Sequence, residues 1–310
     1  MASAQKIKTL AGPCSNLRFN SFRVLEKLTI IAPGLLGASI GLAARERSLA
    51  RSISVWARRE EARSALASAN WCDESPEEIA DACAGSSLIA LCAPVERIIK
   101  LSERIAPGLD SNPIVTDVGS VKSKLSRHCS AALDGRARFI GSHPMAGSEK
   151  TGMENACANL FEERTCFVTP LEDSDLDASE NVKSFWRDLG CHVIQESPER
   201  HDAIVANVSH LPHLLASALA SYLSTALPES GLFCGNGLKD TTRIASGNPQ
   251  MWRDIIIQNR PEIVRAIDAF QDELQRFRAN IANEEDFAVL KTLADGKSFR
   301  DQLDAGQPNP

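Results

Sequence analysis

The sequence predicts an α/β chain, a mainly parallel sheet flanked by helices and followed by an all-helical carboxyl-terminal domain. Three observations carry this. Short β-branched runs alternate with helical stretches as far as residue 196, and strand signals stop after Ser197. A length of 310 residues also exceeds what one core usually organises. The predicted division is a leader without fixed structure over 1–27, an α/β domain over 28–196 and a helical domain over 197–310.

Residues 28–31 form a β-branched run that ends in a glycine-containing turn, and 35–47 reads as the helix that follows. Residues 53–56 make a second strand. Residues 87–91 and 113–116 supply two more, each followed by a helical stretch. Alternation of this kind places strands in parallel with helices on both faces. Residues 138–141, 166–169 and 191–195 extend the sheet. Pro198 then opens a helix to about Tyr222, which Pro212 should kink. Pro261 suits the first turn of another helix. Its apolar residues Ile263, Ile267, Phe270, Leu274, Phe277 and Ile281 step by four and three. So narrow a stripe packs along one other helix, either in a partner subunit or within its own domain.

Composition narrows the function classes. Hydrophobic residues make up 43% and charged residues 24%, the balance of an ordinary globular protein. A formal charge of −6 argues against a nucleic-acid partner, which would require a basic face. The nine cysteines include no Cys-x-x-Cys pair, so reduced thiols in a cytoplasmic protein are expected rather than a zinc or disulfide framework. The leader carries Lys6, Lys8, Arg18, Arg23 and Lys27 against Glu26, which faintly resembles an organellar transit peptide. No run is expected to span a bilayer, since the most apolar, 28–44, is broken by Pro33, Gly34 and Gly37.

A strand leading into Ala32-Pro-Gly-Leu-Leu-Gly37 and then a helix is where a Rossmann fingerprint belongs. Gly34 would let the backbone approach a pyrophosphate, with the amides of Leu35 and Leu36 behind it. Gly37 would let the helix pack closely on the strand. The first glycine position holds Ala32, which Pro33 should bias toward an extended conformation. The second strand runs into Val55-Trp-Ala-Arg-Arg59 without the usual acidic partner for ribose hydroxyls. Arg58 and Arg59 instead offer guanidinium groups suited to a 2′-phosphate, which favours NADP over NAD. The alternative is that both arginines cap an exposed helix start and pair with Glu60 and Glu61.

Five further blocks occur in order. They are Val115-Thr-Asp-Val-Gly-Ser-Val-Lys122, Gly141-Ser-His-Pro-Met-Ala-Gly-Ser-Glu-Lys-Thr-Gly152, His201-Asp202, Ser209-His-Leu-Pro-His213 and Lys239-Asp-Thr-Thr-Arg243. Together they resemble the active site of the prephenate/arogenate dehydrogenase family, NAD(P)-dependent enzymes of tyrosine biosynthesis. The resemblance implies a small cyclohexadienyl substrate, while the apolar stripe from Ile263 to Ile281 favours a homodimer built on the helical domain. It makes His143 the group that acts on the substrate hydroxyl and Ser120 the residue that orients it. Arg243 would grip the side-chain carboxylate, with His213 and Trp252 lining the pocket and Ser148 and Glu149 at its mouth. Cys92-Ala93-Pro94 would form the turn on the nicotinamide side of the cofactor. The setting of His143 after a strand suggests a fixed, exposed imidazole. Asp117 could be a helix cap or a site residue, and Glu149 a pocket residue or a solvated loop acid.

Other readings stay open. His210 and His213 share a helix face, but no acidic or cysteine ligand nearby completes a metal set. Asp202 lies too far along the helix to touch His213, so it should tie the helix to the nucleotide domain. A hydroxyisobutyrate or 6-phosphogluconate type of dehydrogenase would share the two-domain plan but relies on a lysine, for which only Lys239 is at hand. A nucleotide-sensing module without catalysis is the third reading, with Ala32 as the mark of a decayed site.

Overall fold

The computed structural model describes residues 24–146 and 152–304. Seven strands form one sheet in the order β2-β1-β3-β4-β5-β6-β7. They are β1 Leu25–Ile31, β2 Ala50–Trp56, β3 Leu88–Leu91, β4 Ile114–Asp117, β5 Arg138–Pro144, β6 Thr165–Thr169 and β7 His192–Gln195. The first five pair in parallel, β6 runs antiparallel to β5, and β7 is parallel to β6. β1 takes in Leu25, Glu26 and Lys27, which the sequence had assigned to the leader. Leu25 points into the core and pairs with Ala50, so the strand gains by starting early.

Helices α1 Leu35–Glu46, α2 Glu60–Ala67, α3 Ile79–Cys83, α4 Val95–Ile105, α5 Ser123–Ala132 and α6 Leu176–Asp188 cover the sheet. Ile30 and Ile31, neighbours in β1, fall in two different apolar clusters, one on each face. Trp71, Phe161 and Trp186 fill one of them, and Ile98, Leu125 and Phe139 belong to the other. Burial on both faces is why the strands read as apolar runs rather than as alternating patterns.

The helical domain comprises α7 Pro198–Val205, α8 Leu211–Ala226, α9 Ser230–Phe233, α10 Asn236–Thr242, α11 Pro249–Gln258, α12 Arg260–Ala282 and α13 Asp286–Asp304. α7 and α8 are continuous through a π-helical turn, Ala206–His210. Pro212 has no N–H to donate to Val208, so the wide turn opens just ahead of it. Contrary to expectation, Pro198–Ala226 as a unit is long and apolar enough to cross a membrane. It carries His201, Asp202, His210 and His213, all buried among side chains of this chain. The fully buried apolar cluster of this domain is small, with Ala206, Ile263 and Ala266 at its centre.

Candidate active site

At the end of β1 the amide of Ala32 donates to the Trp56 carbonyl at 2.9 Å, and the Gly34 amide turns back to the Ala32 carbonyl at 2.9 Å. Ala32 has φ 65°, in the left-handed region, and is not extended as Pro33 had suggested. Its N–H is held by β2, and the turn before α1 demands the reversal. A side chain there costs about 1–2 kcal/mol relative to an unstrained backbone. Gly34 faces open space where a Cβ would stand. At Gly37 a Cβ would lie 3.0 Å from Cys92 Cβ and 3.1 Å from Ile30 Cγ2, so this glycine does set helix against strand. The first amides of α1, on Leu35, Leu36 and Gly37, have no carbonyl within the helix to accept them. No acidic side chain occupies that first turn. The turn therefore fits a dinucleotide pyrophosphate.

At the end of β2, Ala57 is buried while Arg58 and Arg59 are exposed. Neither arginine forms an ion pair with Glu60 or Glu61 among the described residues. Arg63 instead donates to the carbonyls of Ala57 and Arg58, both at 3.1 Å. Ala93 is buried, and Pro94 caps the start of α4 at the carboxyl end of β3.

His143 lies within β5, not in a loop beyond it, because pairing with β6 sets it opposite Phe167. Its imidazole is buried rather than exposed. Nδ1 stands 2.9 Å from His201 Nε2, and His201 Nδ1 stands 2.9 Å from Asp202 Oδ1. Asp202 also accepts the backbone amides of Lys122 at 2.7 Å and Ser123 at 2.9 Å. A carboxylate from α7 thus satisfies the start of α5, which ties the helical domain to the sheet as expected. Beneath His143, the fully buried Lys122 ammonium pairs with Asp117 and donates to the Ser142 carbonyl at 2.8 Å. Asp117 further accepts from Gly119 at 2.7 Å and from the Ser142 amide at 3.1 Å. Asp117 is therefore the anchor of the strand that carries His143. Ser120, half-buried between β4 and α5, makes no hydrogen bond to His143 among the described residues.

Burial, then the charges of His201, Lys122 and His210, hold the His143 imidazole well below its ordinary 6.5, so it is neutral at pH 7. Burial also lowers His201, although the Asp202 hydrogen bond opposes it. At Asp202 burial acts upward, but hydrogen bonds from His201, Ser123 and Lys122 outweigh it and keep the carboxylate ionised.

The second group gathers around Trp252. The His213 ring stacks on the indole, centroids 3.6 Å apart, and His210 meets it edge-on at 6.1 Å. Asn259 joins the two groups, donating to the Asp202 carbonyl at 2.9 Å and standing 3.2 Å from His210 Nδ1. Arg243 is exposed at the start of the 3-10 turn Arg243–Ser246, which leads into Gly247 beside the stack. Ser148 and Glu149 lie outside the described residues. His201, Lys122 and Asn259 had been given no role in the chemistry. His201 stood in a quoted motif, but its partner lies 58 residues away.

A Rossmann-type sheet, a phosphate-ready turn and a neutral buried histidine at the junction with a helical domain define a nucleotide-dependent oxidoreductase. Comparison with known proteins specifies the kind. The family model for the prephenate dehydrogenase nucleotide-binding domain matches residues 40–195, and that for the prephenate dehydrogenase dimerization domain matches 197–295. The chain belongs to the prephenate/arogenate dehydrogenase family. It is 30% identical to the prephenate dehydrogenase of Bacillus subtilis, over 90% of this chain and 76% of that one. The prephenate dehydrogenase of A. aeolicus, solved with hydroxyphenyl propionate and NAD+, is similar at 32% identity and a TM-score of 0.83. That match covers 90% of this chain and 98% of the other. The arogenate dehydrogenase of Synechocystis is similar at 26% identity and a TM-score of 0.80, over 89% and 99% of the two chains.

Proposed function

We propose that this chain oxidatively decarboxylates arogenate, prephenate or both, to tyrosine or 4-hydroxyphenylpyruvate, with NADP as cofactor and a homodimer as the working unit. The observation that carries the reading is the neutral, buried His143, whose Nδ1 is tied to His201 and whose Nε2 has no hydrogen-bond partner among the described residues.

Such a substrate carries a ring carboxylate and a hydroxyl on the opposite ring carbon. When bound at the turn before α1, the nicotinamide cofactor supplies the hydride acceptor. His143 accepts the hydroxyl hydrogen bond and draws the proton toward Nε2 as the hydride leaves the same carbon. The ring carboxylate departs as carbon dioxide, its bonding pair completes the aromatic ring, and the proton returns to the phenolic oxygen. Arg243 offers a planar fork to the side-chain carboxylate, and the His213–Trp252 stack gives the ring a flat wall.

Arg58 and Arg59 support NADP, since both are exposed where the ribose of the adenosine half would lie and Ala57 offers no acceptor. The A. aeolicus relative was solved with NAD+, so the preference rests on these residues of the present chain. The test is turnover of prephenate and of arogenate, each with NADP and with NAD, followed by the absorbance of the reduced nicotinamide. Turnover with NADP favoured supports the reading; no turnover in any of the combinations overturns it.

A further inference from the structure

The Asp202 carboxylate, being ionised, only accepts hydrogen bonds. The atom of His201 that faces it, Nδ1 at 2.9 Å, must therefore carry the hydrogen. A neutral His201 then has a bare lone pair on Nε2. That lone pair lies 2.9 Å from His143 Nδ1, and one member of a hydrogen-bonded pair of ring nitrogens must donate. His143 Nδ1 is thus the donor, and the lone pair of its neutral ring resides on Nε2. We propose that His201, backed by Asp202, is a positioning residue that sets the tautomer of His143, presenting Nε2 as the acceptor for the substrate hydroxyl.

The arrangement follows the logic by which a buried carboxylate orients the histidine of a hydrolase triad, lengthened by one imidazole. Both flanking rings hold His201 in place. Phe167 meets it edge-on at 5.1 Å and His143 at 5.1 Å, and the side chain is wholly buried. Asp202 cannot turn away, since its two oxygens also hold the amides that open α5. As the hydroxyl proton approaches Nε2, positive charge grows on His143 and its Nδ1–H bond to His201 becomes charge-assisted. The contact therefore tightens in the transition state. The opposite tautomer would direct an N–H at the hydroxyl and have no lone pair there to receive the proton.

The proposal rests on His143 acting on the hydroxyl, so the experiment separates the two. Nitrogen NMR of the unmutated holoenzyme with labelled imidazoles reads the tautomer without turnover. The expected result is an unprotonated Nε2 and a protonated Nδ1 on His143; a protonated Nε2 in the neutral ring overturns the proposal. Kinetics add a second reading. His201→Gln can set its amide oxygen where Nε2 stands, and is expected to keep kcat within about tenfold. His201→Asn reaches only Asp202 and should lower kcat about a hundredfold with KM little changed. Equal kcat for His201→Asn and His201→Gln, with both folded by thermal melting, would overturn the positioning role. A failed His143 reading looks different: His143→Asn would then turn over normally whatever the tautomer.

Discussion

His213 lies flat on Trp252, ring centroids 3.6 Å apart and planes 8° from parallel, with Gly247 against the edge of the stack. A Cβ at Gly247 would stand 2.7 Å from Trp252 Nε1 and 3.0 Å from His213 Cε1. Gly247 has an ordinary negative φ of −60°, so its small size is needed for the rings and not for the backbone. Gly247→Ala should displace the stack at a cost of about 1–3 kcal/mol. The expected outcome is a higher KM for the cyclohexadienyl substrate, a smaller change in kcat and unchanged cofactor affinity. Steady-state kinetics with each ligand varied in turn checks it.

His143 and Arg243 should separate kinetically. His143→Asn is expected to lower kcat about 10²–10⁴-fold with KM little changed, because its interaction with the proton strengthens in the transition state. Arg243→Gln should chiefly raise KM, since a carboxylate remote from the reacting carbon is held alike in ground and transition states. His143→Asn turning over at a near-normal rate would remove it from the chemistry.

The core of the sheet was legible because β1, β3 and β4 are largely apolar runs buried on both faces, and no partner outside the run is needed to see them. The anchoring role of Asp202 was legible too, because helix rise alone keeps it from His213. The contact between His143 and His201 was not. It joins β5 to α7 across 58 residues, and no local period encodes it. The extent of β5 was missed for a related reason: pairing with the antiparallel β6 carries it through Pro144, past the glycine that seemed to end it. Ala32 was misread because the preference of a residue before proline is weaker than the hydrogen bond β2 makes to it.

Cofactor choice should follow Arg58 and Arg59. A higher kcat/KM with NADP than with NAD is expected. Arg58→Ala or Arg59→Ala should narrow the gap by roughly ten- to a hundredfold, the worth of one hydrogen bond to a charged group. The loss should fall on NADP alone, since neither guanidinium is needed for the ribose of NAD. Equal efficiency with both cofactors in the unmutated enzyme would show that these arginines do not read a phosphate.

Four histidines of the site make the fold sensitive to acid. Burial lowers His143, His201 and His213 below the ordinary 6.5, and pushes His210 down to about 4. With the folded value below the unfolded one, the unfolded chain binds protons first as pH falls. Stability from these groups is therefore full above about 6.5 and is lost as pH drops from 6.5 toward 4. For His210 alone the shift corresponds to at most about 3 kcal/mol. Melting temperatures measured across that window should fall steeply, and His210→Gln should flatten the slope. A Tm constant down to about pH 5 would show that these rings are not held neutral by the fold.

The apolar stripe of α12 divides at Ile267. Ile263 and Ile267 pack on Ala206 within the domain, whereas Leu274 and Ile281 are 55% and 57% exposed in the single chain. Phe287 and Leu290 of α13 are 91% and 63% exposed, so the end of α12 and the start of α13 present apolar side chains to water. Exposed apolar side chains grouped in this way mark a surface for association. The family model that matches this half is that of a dimerization domain, which agrees with a second copy as the cover. Light scattering at micromolar concentration is expected to give twice the chain mass. Leu274→Asp with Ile281→Asp should yield monomers, because a carboxylate buried at such an interface has no partner. Ile267→Asp would be a poorer probe, since it strikes the internal cluster and unfolding would mimic dissociation. The paired variant also separates assembly from folding: its sheet domain should keep its circular dichroism while the mass halves. A dimer that survives both substitutions would place the interface elsewhere on the helical domain.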